Sequence, residues 1–277
     1  RYLAEKESPG MSTNETTLLT LDNIGISFGG LRAVDELNLE VKKGQVVGLI
    51  GPNGAGKTTV FNIITGVYKP TDGQVLWKGE PINGLPPYRV AERGIMRTFQ
   101  TIRLFTGMSV LENVLAGQHL RTRQTWFAGL LSTPAQRREE KQLRQECMDI
   151  LEKLKLADVA HEVATSLPYG IQRRVEMART LAASPELLIL DEPAAGLNDN
   201  ESAELNKTIL DIRDSGVTVL LVEHDMNVVM NVTDHIVVIS FGRKIAEGGP
   251  ESIRNNQDVI EAYLGKDDED DAQEAFA

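Results

Sequence analysis

A strand-length apolar run, Val46-Val47-Gly48-Leu49-Ile50, passes directly into Gly51-Pro52-Asn53-Gly54-Ala55-Gly56-Lys57-Thr58, and a helical stretch over 58–65 follows. That order restricts the local fold to a buried strand, a tight loop and a helix whose N-terminus faces the loop. Glycine lets the loop backbone curl until successive N–H groups point to one centre, and the helix end adds partial positive charge there. The pattern is therefore a phosphate cradle. Lys57 is placed to reach the β- and γ-phosphates of a nucleoside triphosphate, and the Thr58 hydroxyl to join a Mg²⁺ shell. Gly51, Pro52, Asn53, Gly54, Ala55, Gly56, Lys57, Thr58 and Thr59 are the expected nucleotide-binding residues. A glycine-rich turn is the plain alternative, and chance rarely gives the whole pattern in this context.

A second buried-strand pattern, Leu187-Leu188-Ile189-Leu190, ends in Asp191-Glu192-Pro193. Two adjacent carboxylates at a strand's end are costly unless used. Successive strand side chains point in different directions, so Asp191 suits the Mg²⁺ shell and Glu192 suits activation of the attacking water. Alone, the pair reads more readily as two solvated carboxylates at a turn. Beside a phosphate cradle it reads as hydrolytic machinery.

The 277 residues leave room for one large α/β domain with an inserted subdomain, and not for two such domains. Strand-like and helical patterns alternate after residue 17, as in an α/β protein, and the phosphate loop makes it an α/β P-loop NTPase with a sheet core and flanking helices. The expected division is an extension over 1–17, with Met11 as a natural start, an ATPase domain over 18–264, and an acidic, disordered tail over 265–277. Within the domain, 18–100 and 167–264 form the core and 101–166 a helical insert, in which Leu143, Met148, Ile150, Leu151 and Leu154 recur at helical spacing along Pro134–Leu156. In the tail, Asp267, Asp268, Glu269, Asp270 and Asp271 repel one another. No run approaches the roughly 20 apolar residues that span a bilayer, and no signal-peptide pattern is present. The net charge of -11 argues against nucleic acid as a partner. One cysteine, Cys147, excludes an internal disulfide and fits a reducing cytoplasm, and the four histidines lack metal-ligand spacing.

Taken together, these motifs resemble the ATP-binding-cassette (ABC) ATPase family over residues 18–264. The resemblance implies an ABC-type mixed sheet, ATP and Mg²⁺ as ligands, and two ATPase domains that sandwich two ATP molecules. Phe28 stands where the family places an aromatic that stacks on adenine; a strand aromatic of the core is the alternative. Gln100, in Arg97-Thr98-Phe99-Gln100, matches the Q-loop residue that contacts Mg²⁺ and links the site to the insert. His224, after the strand Val217–Val222 and Glu223, matches the switch histidine that meets the γ-phosphate and orients water. The implied catalytic residues are thus Lys57, Glu192 and His224, and the metal residues Thr58, Gln100 and Asp191. The D-loop, Ala194 to Asn198, ends in Asn where the family usually has Asp, so charge-based roles of that position do not carry over.

The signature, usually Leu-Ser-Gly-Gly-Gln, reads Leu167-Pro168-Tyr169-Gly170-Ile171, followed by Gln172. By the same resemblance Leu167, Gly170 and Gln172 face the ATP of the opposite subunit. Pro168 lacks both a hydroxyl and an N–H, which leaves backbone donors from Gly170 onward and the helix dipole. A less effective half-site favours a heterodimer, with a homodimer still open.

Closer resemblance points to the LivG-type ATP-binding subunits of branched-chain amino acid importers. It is carried by Phe28-Gly29-Gly30-Leu31, by Asp191 to Leu197, by Glu223-His224-Asp225-Met226 and by the ending Ile253 to Gly265. The partners it implies are two transmembrane permease subunits, a second ABC ATPase subunit and, indirectly, an external solute-binding protein, with this chain peripheral on the cytoplasmic face of the inner membrane. Trp126-Phe127 would touch a membrane subunit or pack against Leu130. An ATPase for lipid or lipopolysaccharide export, or a soluble ABC ATPase of an assembly system, remains as the alternative.

Overall fold

A computed structural model describes residues 16–98, 100–118 and 134–264, with backbone alone for 134–137 and 264. Phe99, Trp126-Phe127 with Leu130, the acidic tail and all but the end of the expected 1–17 extension lie outside the described residues.

Two sheets form the frame. β1 (Thr17–Phe28), β2 (Leu31–Lys42), β4 (Asp72–Trp77) and β5 (Glu80–Pro81) make an antiparallel sheet in the order β2-β1-β4-β5. Along β2, Val34, Leu37, Leu39 and Val41 are buried while exposed residues separate them, as in a sheet with one wet face. The larger sheet has the order β10-β9-β3-β8-β7-β6, built from β3 (Val46–Ile50), β6 (Ile95–Arg97), β7 (Leu187–Asp191), β8 (Thr218–Val222), β9 (His235–Ser240) and β10 (Arg243–Gly248). Its strands are parallel except for β10, which pairs antiparallel at the edge, so the sheet is mixed. β3, β7 and β8 are buried along their whole length, as parallel strands covered on both faces must be.

Side chains alternate between two cores. From β7, Leu187 and Ile189 join the cluster around α1 (Lys57–Ile64) and the antiparallel sheet. Leu188 and Leu190 join the cluster formed with α3 (Val110–Gly117), α4 (Pro134–Lys153), α5 (Tyr169–Ala182) and α6 (Asp199–Asp214). α7 (Met226–Val232), α8 (Pro250–Arg254) and α9 (Gln257–Leu264) close a third cluster with Ile50. A short helix, α2 (Pro87–Glu92), precedes β6.

Among the described residues between 101 and 166, the elements are α3, α4 and two 3-10 turns, with one isolated bridge between Ser109 and Val163. α4 stops at Lys153, short of the expected Leu156, because Lys155 takes a left-handed φ of 54° that no helix interior allows. On α5, Val175, Ala178 and Ala182 are buried at helical spacing, but so are Arg173 and Glu176.

The D-loop Asn has a local role. Asn198 caps α6: its Oδ1 accepts from Glu201 N at 3.1 Å, and Glu201 Oε2 accepts from Asn198 N at 3.0 Å. Asn198→Ala is expected to cost about 1 kcal/mol, lowering Tm by roughly 3 °C, whereas Asn198→Asp, an equally good cap, should leave it unchanged. Thermal unfolding of the two variants checks this.

Candidate functional site

The buried β3 delivers the chain to the cradle. Gly51, Gly54 and Gly56 take φ of 153°, 78° and 105°, in the left-handed range that favours glycine. Space makes the same demand: a Cβ on Gly51 would lie 2.0 Å from the Ile239 carbonyl oxygen, and one on Gly56 2.7 Å from that of Ala33. α1 then opens at Lys57 with no acidic residue in its first turn, so its N-terminal N–H groups and dipole meet no competing anion there. Lys57, 7% exposed, donates from Nζ to the Gly51 and Pro52 carbonyls at 2.5 and 3.0 Å, which holds the cation inside the loop. Thr58, Asn53 and Gly54 are exposed, Thr59 is half-buried, and Pro52 and Ala55 are buried beneath them.

Register brings the carboxylates to the same end of the sheet. Leu49 on β3 is level with Val222 on β8, which is level with Asp191 on β7. Asp191 is buried and its Oδ2 accepts from an Arg97 guanidinium nitrogen at 2.5 Å. Glu192 leaves the strand with φ 46°, a left-handed conformation unusual for a side chain of this size, and so diverges from Asp191 by a backbone turn rather than by strand alternation alone. Its Oε2 accepts from Gln100 Nε2 at 3.1 Å. β8 ends at Val222, so Glu223 and His224 emerge beside this pair. Glu223 is fully buried; burial pushes its carboxyl up from the ordinary value, opposed by donation from the Ala194 and His224 N–H groups at 2.7 and 3.1 Å and by the His224 charge. The His224 side chain is 57% exposed, with Nδ1 3.7 Å from Glu223 Oε2.

Phe28 is 44% exposed at the end of β1 and meets Tyr68 edge-on at 5.2 Å, so it is not a core aromatic. The signature residues stand apart from the cradle. Leu167 is nearly buried, Pro168 is the N-cap of α5 without a side-chain cap bond, and Gly170 packs so closely on α6 that a Cβ would lie 2.8 Å from Glu201 Oε1. Gln172 turns back, donating to the Leu167 and Thr165 carbonyls at 2.7 and 3.3 Å. Among the described residues, no hydrogen bond joins these three to the glycine loop.

Two residues central to this geometry carry no recognisable sequence signal. Arg173 is 1% exposed and reaches the Gln100 carbonyl at 3.0 Å, the Glu192 carbonyl at 3.4 Å and the Tyr169 hydroxyl at 3.4 Å, with Glu176 beside it at 3.3 Å. Arg97 joins Asp191 to Asn62 of α1. In the sequence Arg97 stands only as a neighbour of Gln100, and Arg173 only as the residue after Gln172.

Phosphate loop after the central strand, acid pair at the end of the second strand over, and histidine beyond the strand between them together define an ATP-hydrolysing P-loop cassette. A family model described as ABC transporter matches residues 34–195, and one described as branched-chain amino acid ATP-binding cassette transporter matches 243–269. The chain is 49% identical to the high-affinity branched-chain amino acid transport ATP-binding protein BraF of Pseudomonas aeruginosa, over 90% of this chain and 98% of that one. The LivG protein of Escherichia coli K12, of the same description, is 48% identical with the same coverage. Among solved structures, the ADP conformation of an ATP-binding cassette of an ABC transporter superposes with a TM-score of 0.79 at 32% identity, covering 90% of this chain and 99% of that one. The chain belongs to the ABC transporter family as one of its ATP-binding, ATP-hydrolysing members.

Proposed function

We propose that this chain is the ATP-hydrolysing subunit of an importer for branched-chain amino acids, peripheral to the inner membrane on its cytoplasmic side and working with two permease subunits and a second ATPase subunit. What carries the reading is the 48–49% identity to BraF and LivG across 98% of their lengths, together with the match at 243–269. No described helix is long and apolar enough to cross a membrane. Partners must then supply the membrane path, and a solute-binding protein the capture of cargo outside.

In this reading the N–H groups of residues 51–59, Pro52 excepted, and the Lys57 ammonium bind the triphosphate, and Phe28 offers a ring face to adenine. Among the described residues no three His, Cys, Asp or Glu gather as a metal cage. Mg²⁺ bound with a nucleotide needs none, since it takes one or two carboxylates, a hydroxyl and phosphate oxygens. Thr58, Asp191 and Gln100 are the oxygen-bearing groups that fit, and the ion when bound would neutralise charge on the β- and γ-phosphates. Glu192 accepts a proton from the attacking water, and His224, half in solvent and tethered to Glu223, meets the γ-phosphate and orients that water. Leu167, Gly170 and Gln172 act on the ATP of the opposite subunit, where Gln172 contributes by rigidifying the start of α5 and the backbone of Gly170 by donation.

The test is to solubilise native membranes gently around a Glu192→Gln chain loaded with ATP and identify by mass spectrometry what co-purifies. Two multi-span permeases and a second ATPase are expected, and the wild-type complex should then hydrolyse ATP faster when a leucine-, isoleucine- or valine-loaded binding protein is added. Soluble partners alone would overturn the importer reading.

A further inference from the structure

We propose that Arg97 is a positioning residue for the nucleotide-linked metal: it engages one oxygen of Asp191 and so fixes the carboxylate with its other oxygen left for the Mg²⁺ shell. This rests on the placement of Asp191 in that shell. One guanidinium nitrogen of Arg97 donates to Asp191 Oδ2 at 2.5 Å and another to Asn62 Oδ1 at 2.8 Å. The guanidinium carbon lies 5.5 Å from the Phe61 ring centroid, and the Arg97 and Asp191 side chains are 18% and 5% exposed. One planar cation therefore ties three elements: β6, which runs on to Gln100; β7, which ends at Asp191; and α1, which begins at Lys57. The rigid fork of arginine can serve both oxygens at once, which a lysine ammonium on a flexible stem cannot do with the same geometry.

Two effects oppose each other here. A fixed cation beside Asp191 repels Mg²⁺, which favours weaker metal binding with Arg97 present. Against this, a buried carboxylate stripped of its partner turns toward other donors, and loss of such outer partners of a metal carboxylate commonly costs about 10–100-fold in metal affinity. Orientation is the larger effect, because Asp191 is buried and Arg97 holds it from the end of β6, where the chain turns toward Gln100.

The experiment measures the Kd of a fluorescent ATP analogue for the full-length chain, once in EDTA and once in Mg²⁺, and takes the ratio. Arg97→Met is expected to leave the EDTA value unchanged and to shrink the gain from Mg²⁺ by about tenfold, with Arg97→Lys recovering part of it. Asp191→Asn serves as the reference. A wild-type ratio in Arg97→Met alongside a lost ratio in Asp191→Asn would overturn the proposal while sparing the metal role of Asp191. Equal weakening of both Kd values by Arg97→Met would overturn it too, as a purely structural pair predicts. An unchanged ratio in Asp191→Asn removes the metal assignment itself. Should Arg97→Met not fold, Arg97→Lys decides on the same ratio.

Discussion

Glu192→Gln should bind ATP as the wild type does and hydrolyse it 10²–10⁴-fold more slowly, the usual cost of removing a positioned general base. The substitution is nearly isosteric, and the amide oxygen can still accept from Gln100 Nε2, which lies 3.1 Å from Glu192 Oε2. The backbone bond from Glu192 N to the Val222 carbonyl at 2.9 Å and the left-handed turn do not depend on the side chain's charge. What is lost is the ability to take a proton from water. Equilibrium binding of ATP with single-turnover hydrolysis separates the two effects. A hydrolysis rate within tenfold of wild type would take Glu192 out of the role of base and point to His224 in its place.

Arg173→Met should unfold at a temperature lower by roughly 10 °C, since breaking a buried ion pair by removing one member typically costs about 3–5 kcal/mol. Arg173 and Glu176 have side chains 1% and 0% exposed and lie 3.3 Å apart, so neither can turn to water when the other goes. Arg179, 3.8 Å from Glu176, is too distant to compensate fully. The double variant Arg173→Met, Glu176→Leu removes both charges and should recover most of the lost stability. It should not recover ATPase activity, because Arg173 also holds the Gln100 and Glu192 carbonyls. Thermal unfolding and ATP hydrolysis on the single and double variants distinguish a stabilising pair from a tie between the signature helix and the hydrolytic residues. Equal loss of stability in both variants would show that the charges matter only for their contacts to the loop.

Much of this was readable along the chain because the signals are local. Val46–Ile50 is a strand of the expected length, since five apolar residues bounded by turn formers admit little else. The glycines of 51–56 are where a curled backbone requires them, and two of them also where a neighbouring carbonyl leaves no room for a Cβ. Leu187–Asp191 is likewise a buried strand, ending at the first acid of the pair. The end of α4 was less legible: apolar spacing continues to Leu156, which is buried, but Lys155 breaks the helix before it, and periodicity does not register one left-handed residue.

What the sequence alone determined was the glycine loop, the acid pair and the buried strands that lead into them, because each depends on neighbours within a few residues. Only the tertiary structure decided the buried ionic framework around them. Arg97 meets Asp191 across 94 positions, and Arg173 meets Gln100 across 73. A charged residue in a helix or at a strand end reads as surface until the fold buries it, and the partner that makes its burial tolerable lies on another element at a separation no periodicity encodes.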